Sequence, residues 1–160
     1  MEFNDKKFIK FLKKQRCSLS VKDDKTDLLE ELKKMEYEIT PEIIEFLEIF
    51  DGKTINFKRG CIDKVSFNCK ENLLDKEVAD RYAYTVEEQL LPIGFNNNSF
   101  CLLFMISKSG KIYGGFDGLF YLIGNNYKEA FINILNDEKI LKIELKAEPC
   151  TFTNNIILYK

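Results

Sequence analysis

Residues 40–57, TPEIIEFLEIFDGKTINF, change from a helical to an alternating hydrophobic pattern. The segment opens with a helix-start signal, because Thr40 can cap a helix and Pro41 suits its first turn. Apolar residues then recur at helical spacing until Asp51-Gly52, a pair typical of a helix end. The alternation in residues 54–57 predicts a half-buried strand. The segment therefore predicts a helix that passes directly into a strand.

Helical patterns dominate before this segment and return once after it. Residues 4–16 and 26–36 carry apolar residues at helical spacing, which predicts two helices ahead of the third. Residues 65–68 alternate and predict a second strand, and residues 75–89 then return to helical spacing. The apolar face predicted for that fourth helix consists of Val78, Tyr82, Val86 and Leu90.

Strand patterns dominate the rest of the chain. The continuous apolar run at residues 100–106 predicts a central strand, and residues 108–110 predict a hairpin turn after it. A last helix is predicted through Leu135, with Asn125 as its cap. The other predicted strands cover residues 111–113, 119–123 and 139–145, with 153–159 as a further candidate.

The order of these elements predicts the fold class. Three helices, a strand pair, a helix, a strand meander and a final helix do not form a regular alternation of strand and helix. This order predicts an α+β fold with a largely antiparallel mixed sheet and helices packed around it. The chain of 160 residues contains no linker rich in Gly, Ser or Pro, so we expect residues 1–160 to form a single domain.

Composition excludes several classes of protein. Apolar residues make up 45% and charged residues 31% of the chain, which is typical of a globular domain. The run at residues 100–106 has seven residues, whereas a membrane helix needs about 20, so we expect no membrane partner. Residues 1–6 lack the apolar segment of a secretory signal, and we therefore expect a cytoplasmic protein.

Residues suited to catalysis are scarce. The chain has no His, which removes the commonest general base and the usual nitrogen ligand of zinc. Its five cysteines are scattered and predict buried, reduced thiols. The glycine-rich residues 114–118 predict a turn, because no helix start follows them as phosphate binding requires. We predict no catalytic residue, metal or cofactor, although a small enzyme using carboxylates and a divalent metal remains an alternative.

Although the formal net charge is only -2, charged residues are distributed unevenly along the chain. Residues 1–16 carry six basic and two acidic side chains. Residues 23–51 carry eleven acidic and three basic ones, and residues 71–88 carry six acidic and two basic ones. Binding to phosphates requires basic residues massed on one surface. A basic protein is therefore the better predicted partner, and direct binding to nucleic acid is not expected.

Four segments together resemble one known family. The helix end at residues 44–52 with the strand after it, residues 91–94 (LPIG), residues 109–113 (SGKIY) and residues 122–130 (LIGNNYKEA) follow its order and spacing. They resemble the SUKH superfamily, the SMI1/KNR4-like proteins, and within it the SUKH-3 branch. The resemblance covers residues 8–136 and leaves residues 137–160 as a C-terminal extension.

The resemblance implies a bacterial immunity protein that binds and neutralises a cognate polymorphic toxin, often a nuclease or a deaminase. It implies no enzymatic activity, and we expect a monomer or a weak homodimer. A regulatory adaptor that binds an endogenous protein remains the alternative. Acidic residues with nearby tyrosines are the expected contacts of a basic partner. The predicted partner-binding residues are Glu42, Glu45, Glu48, Asp51, Asp75, Glu77, Asp80, Tyr84, Glu87, Asp117 and Tyr121.

Overall fold

A computed structural model describes residues 2–58, 62–96, 101–136 and 140–147. Within them lie six α-helices and seven strands. The helices are α1 (Glu2–Lys14), α2 (Thr26–Lys34), α3 (Pro41–Phe50), α4 (Cys69–Asn72), α5 (Lys76–Val86) and α6 (Tyr127–Asn136). The strands are β1 (Lys53–Asn56), β2 (Lys64–Phe67), β3 (Leu90–Asn96), β4 (Leu102–Ser107), β5 (Ile112–Phe116), β6 (Leu119–Gly124) and β7 (Leu141–Ile143).

The strands form one sheet in which each strand pairs with the next one along the chain, from β1 to β7. Every ladder among the described residues is antiparallel. Short connections explain four of these six ladders, because parallel neighbours require a long crossover connection. The β2–β3 and β6–β7 pairs are connected through helices and are antiparallel as well. The predicted α+β class, with leading helices, a strand meander and a late helix, is confirmed.

The sheet has a core on each face. The larger core lies under α1, α2, α3 and α6, and the smaller one lies under α5. Rings of the larger core contact each other, for example Phe50 and Phe131 with 5.0 Å between their centroids. The largest fully buried side chains of that core include Phe8, Phe46, Phe50, Phe67, Phe104 and Phe131.

The junction between α3 and β1 forms as its sequence predicts. Pro41 lies in the first turn of α3, and Asp51 follows the last turn. Gly52 has a φ of 83°, a left-handed conformation that glycine adopts without strain. Ile55 then points into the larger core while its neighbours in β1 face outward, as the alternation predicts. Thr40 precedes the helix, but its side chain makes no capping hydrogen bond.

Strand β3 contradicts the predicted extent of the fourth helix. Helix α5 ends at Val86, where Glu87 takes a left-handed φ of 57°. Leu90, predicted as the last apolar residue of that helix, begins β3 instead. Val78, predicted to be buried, is exposed. Pairing of β3 with β2 and β4 outweighs the helical spacing, because a buried strand satisfies its backbone hydrogen bonds on both sides.

Local predictions of turns and caps differ from the structure in further places. Gly114 and Gly115 lie within β5 instead of the predicted turn, because they pair with β4 and β6. Glycine fits both positions because the side chains of Leu102 and Tyr82 occupy the space that a larger residue would need. Asn126, rather than Asn125, caps α6 by accepting the backbone N–H of Glu129 at 2.8 Å. Helix α4 was not predicted from the sequence.

The cysteines follow the sequence prediction in part. Cys17 and Cys69 are buried, as predicted. Cys101 is exposed, so the prediction of buried thiols was wrong for this residue. Cys61, Cys150 and the candidate strand at residues 153–159 lie outside the described residues.

Candidate protein-binding surface

The predicted residues on α3 lie one turn apart on its outer side, and two of the three carboxylates contact neighbouring side chains. Glu42 is exposed and packs beside Gly110 in the β4–β5 hairpin. Glu45 accepts a hydrogen bond from the Tyr127 hydroxyl at 3.4 Å. Glu48 pairs with Lys22 at 3.2 Å. Of these three glutamates, Glu42 is the one whose side chain is open to a partner.

Asp51 lies inside the structure rather than on the predicted surface. Its carboxylate pairs with Lys25 at 2.9 Å and accepts the backbone N–H of Cys69 at 2.7 Å. The Asp51 side chain is 12% exposed. A buried carboxylate with two internal partners has a structural role, so we do not count Asp51 among the partner contacts.

The predicted residues around α5 lie close together, most of them on the side of the helix that faces away from the sheet. Glu77, Asp80 and Tyr84 are exposed on α5, and Glu87 is exposed directly after it. The inner side of the helix is buried through Ala79, Tyr82 and Thr85. Asp75 lies just before the helix and is half-buried. Five predicted residues therefore lie on or beside one helix.

Ion pairs hold some of these acidic side chains in place. Asp80 pairs with Lys76 at 2.7 Å, one helical turn away. Glu87 pairs with Lys146, and the hydrogen bond and positive charge of that lysine lower the pKa of the Glu87 carboxyl. Residues 144–147 are thereby held beside α5, where the backbone N–H of Lys146 also donates to the Thr85 hydroxyl at 3.2 Å.

The β5–β6 turn adds Asp117 to the same side of the sheet. Asp117 and Gly118 line a groove of about 580 Å³ together with Val78, Arg81 and Leu145. Tyr82 also lines it, and its ring stacks on Phe120 with 4.8 Å between their centroids. Burial raises the pKa of the Tyr82 phenol, and a hydrogen bond from the Gly118 backbone opposes that shift. The phenol is therefore a neutral part of the groove.

Tyr121 is separated from the other predicted residues. It packs against the larger core on the opposite face of the sheet from α5. There it lines an apolar cavity of about 190 Å³, together with Leu102, Phe116 and Ile123. The structure therefore does not bring Tyr121 and Tyr84 onto one surface.

Sequence reasoning missed four residues of the α5 side: Leu74, Val78, Arg81 and Leu145. Leu74 is 92% exposed in the 3₁₀ turn before α5, and Val78 follows at a spacing of four. That spacing was an available signal, but the predicted buried face combined Val78 with Tyr82, Val86 and Leu90 and did not include Leu74. Leu145 follows β7 and reaches α5 only through the tertiary fold, so no local pattern could have indicated it.

Titratable groups with strongly shifted pKa values lie in the cores. Burial raises the pKa of the Cys69 thiol above its ordinary range, and the carboxylates of Asp51 and Glu31 add to the shift. Such a thiol is a poor nucleophile, because the thiolate is the reactive form. Within the described residues, no group of three or more His, Cys, Asp or Glu side chains could hold a metal ion.

The helices of the described ranges lack the combination of length and apolarity that crossing a membrane requires. An α+β fold whose most distinctive surface combines exposed apolar, aromatic and acidic side chains has the make-up of a protein-binding module. A model of the SUKH-3 immunity protein family matches residues 19–137. Because this match spans well over half of the 160 residues, the chain belongs to the SUKH-3 immunity protein family.

Membership confirms the resemblance seen in the sequence and implies a protein toxin as the partner. The match begins at residue 19, inside the range expected from the motifs, and includes both α3 and α5. No curated protein and no solved structure matches the chain.

Proposed function

We propose that this chain neutralises a cognate bacterial toxin domain, a nuclease or a deaminase, by binding it and covering its active site. The family match over residues 19–137 is the observation that carries the proposal. The protein would act in the cytoplasm as a monomer or a weak homodimer. It would work by binding alone, without catalysis, a cofactor, or contact with nucleic acid or membrane.

Electrostatics support a nuclease or a nucleic-acid deaminase as the partner. An enzyme that holds a polyanionic substrate needs basic side chains around its active site. An acidic surface on the immunity protein attracts such a site and accelerates the encounter. We assign the contact to the exposed predicted residues, which are Glu42, Glu77, Asp80, Tyr84, Glu87 and Asp117.

The test is coexpression with the toxin domain encoded in the neighbouring open reading frame. We expect growth to be rescued, the two chains to copurify in equal amounts, and the activity of the purified toxin to fall to background at one equivalent. A toxin domain inactivated at its own active site should still copurify, because occlusion does not require turnover. Toxin activity that persists with excess folded protein would contradict the proposal.

A further inference from the structure

Exposed apolar side chains concentrate on the outer side of α5. Leu74 and Val78 lie on one edge of the helix, Tyr84 lies on its exposed side, and Leu145 approaches from residues 144–147. Among the described residues, eight large apolar side chains are exposed, and these are four of them. We call Leu74, Glu77, Val78, Arg81, Tyr84 and Leu145 the α5 surface.

The α5 surface exists because α5 is the only helix that contributes to the smaller core among the described residues. One helix can bury one side, and here Ala79 and Tyr82 bury it against the sheet. The residues between them in the helical repeat must face outward, and these include Glu77, Arg81 and Tyr84. A Tyr and an Arg beside exposed aliphatic side chains are typical of the energetic centre of an interface.

Charges around this apolar centre are predominantly acidic. Residues 74–87, the β5–β6 turn and residues 144–147 together carry six acidic and three basic residues, which leaves an excess of three negative charges. The acidic residues are Asp75, Glu77, Asp80, Glu87, Asp117 and Glu144, and the basic residues are Lys76, Arg81 and Lys146. An apolar centre with a charged rim matches the anatomy of a protein interface. The net negative charge of this rim favours a basic partner.

The acidic side of α3 is less suited to the same partner. The carboxylates of Glu45 and Glu48 contact Tyr127 and Lys22. The apolar side chains of α3 are buried in the larger core, for example Phe46 and Leu47. A partner there would meet charge without an apolar centre, so its contacts would contribute little binding free energy.

We propose that the toxin domain docks on the α5 surface, with an apolar side chain in the groove between Val78 and Leu145 and basic side chains against Glu77 and Asp117. This inference rests on the proposed function, because it takes the toxin as the partner. It adds the face of the protein, the apolar anchor and the sign of the opposing charges.

The test compares matched pairs of surface variants for binding to the inactivated toxin domain of the neighbouring reading frame. Leu74→Asp is matched by Val21→Asp, since both residues are large, apolar and exposed. Glu77→Lys is matched by Glu30→Lys, since both carboxylates are exposed on helices. Tyr84→Ala removes the aromatic ring. Urea denaturation of each variant shows whether it still folds.

We expect Leu74→Asp and Tyr84→Ala to raise the dissociation constant by roughly 30-fold or more, because removal of a side chain at the energetic centre of an interface typically has an effect of that size. Glu77→Lys should slow association several-fold at low salt, and the difference should shrink as salt is added. Val21→Asp and Glu30→Lys should bind like the unmodified chain.

Two outcomes would overturn the inference while the proposed function stands. In the first, the unmodified chain neutralises the toxin and all three α5 variants bind it normally. In the second, sedimentation shows a homodimer that Leu74→Asp dissociates, with toxin binding unchanged, so that the α5 surface holds a second copy. If the unmodified chain does not bind the toxin domain, the proposed function and this inference fail together.

Discussion

The carboxylate of Asp51 lies 2.9 Å from the ammonium nitrogen of Lys25, and the two side chains are 12% and 17% exposed. Lys25 immediately precedes α2, and Asp51 immediately follows α3. The second carboxylate oxygen accepts the backbone N–H of Cys69, the first residue of α4. One side chain therefore connects the ends of three helices around the junction with β1.

Replacing Asp51 should destabilise the fold. Asp51→Asn retains an oxygen for the Cys69 N–H but removes the charge opposite Lys25, and we expect it to lower the free energy of unfolding by about 1–3 kcal/mol. Urea denaturation measures this change. The control is Asp24→Asn, at an exposed carboxylate that accepts hydrogen bonds from Thr26. It should lower the free energy of unfolding by less than Asp51→Asn does. Equal losses in the two variants would show that the Asp51 contacts stabilise the fold no more than the exposed contact of Asp24 does.

Two glycines at the sheet should tolerate alanine to different degrees. A Cβ at Gly115 would lie 2.7 Å from Cζ of Tyr82, and one at Gly124 would lie 2.6 Å from Cα of Ala130. The Tyr82 ring can shift, whereas the backbone of α6 cannot shift locally. We expect Gly115→Ala to cost about 1–3 kcal/mol in thermal or urea unfolding, and Gly124→Ala to cost more. The reverse order would contradict this account.

The side chain of Gln15 protects the outer edge of β1. Its amide donates to the carbonyl of Asn56 at 3.2 Å and accepts the Asn56 N–H at 3.0 Å, as a neighbouring strand would. Gln15→Ala should speed hydrogen exchange at the Asn56 amide and lower stability by about 1 kcal/mol. Lys14→Ala, at an exposed neighbouring position, is the control. Unchanged exchange at Asn56 would refute the protective role.

Tyr127 should make stability depend on pH in the alkaline range. Burial, together with the nearby charge and hydrogen bond of Glu45, raises the pKa of Tyr127 to about 12. The folded state therefore keeps a proton that the unfolded state loses near pH 10, and the free energy of unfolding falls as pH rises from about 10 to 12.

The measurement for Tyr127 is urea denaturation at a series of pH values. Tyr127→Phe should show a shallower fall above pH 10, and below pH 9 its stability should differ from that of the unmodified chain by a constant amount. Some slope should remain, because burial also raises the pKa of Tyr37. Identical slopes in the two proteins would exclude a contribution from Tyr127.

Elements with a strong local pattern were predicted correctly. The helix-start signal at Pro41 and the glycine at 52 placed α3 and β1 within a residue or two of their observed bounds. Strand β3 was missed because Leu90 continues a helical spacing that begins at Val78. That residues 1–160 form one domain stays a prediction.

The placement of the predicted partner-binding residues depended more on the tertiary structure than the fold class did, and their role stays a prediction. Acidic composition indicated α5, and Glu77, Asp80 and Tyr84 do share its exposed side. The same criterion selected Asp51, because nothing in the local sequence shows that Lys25 lies next to it. An acidic residue that binds a partner and one that ties helices together look alike until their neighbours are known.

The fold class followed from the sequence alone, because hydrophobic periodicity and turn residues act over a few neighbouring positions. The order of helices and strands, and the motifs of the family, are properties of that kind. The composition of the α5 surface and of the groove beside it depended on the tertiary structure, because Leu145 and Asp117 reach α5 only when the sheet is assembled. Packing alone also determines which apolar residues stay exposed, since one helix covers that face of the sheet among the described residues and can bury only its inner side.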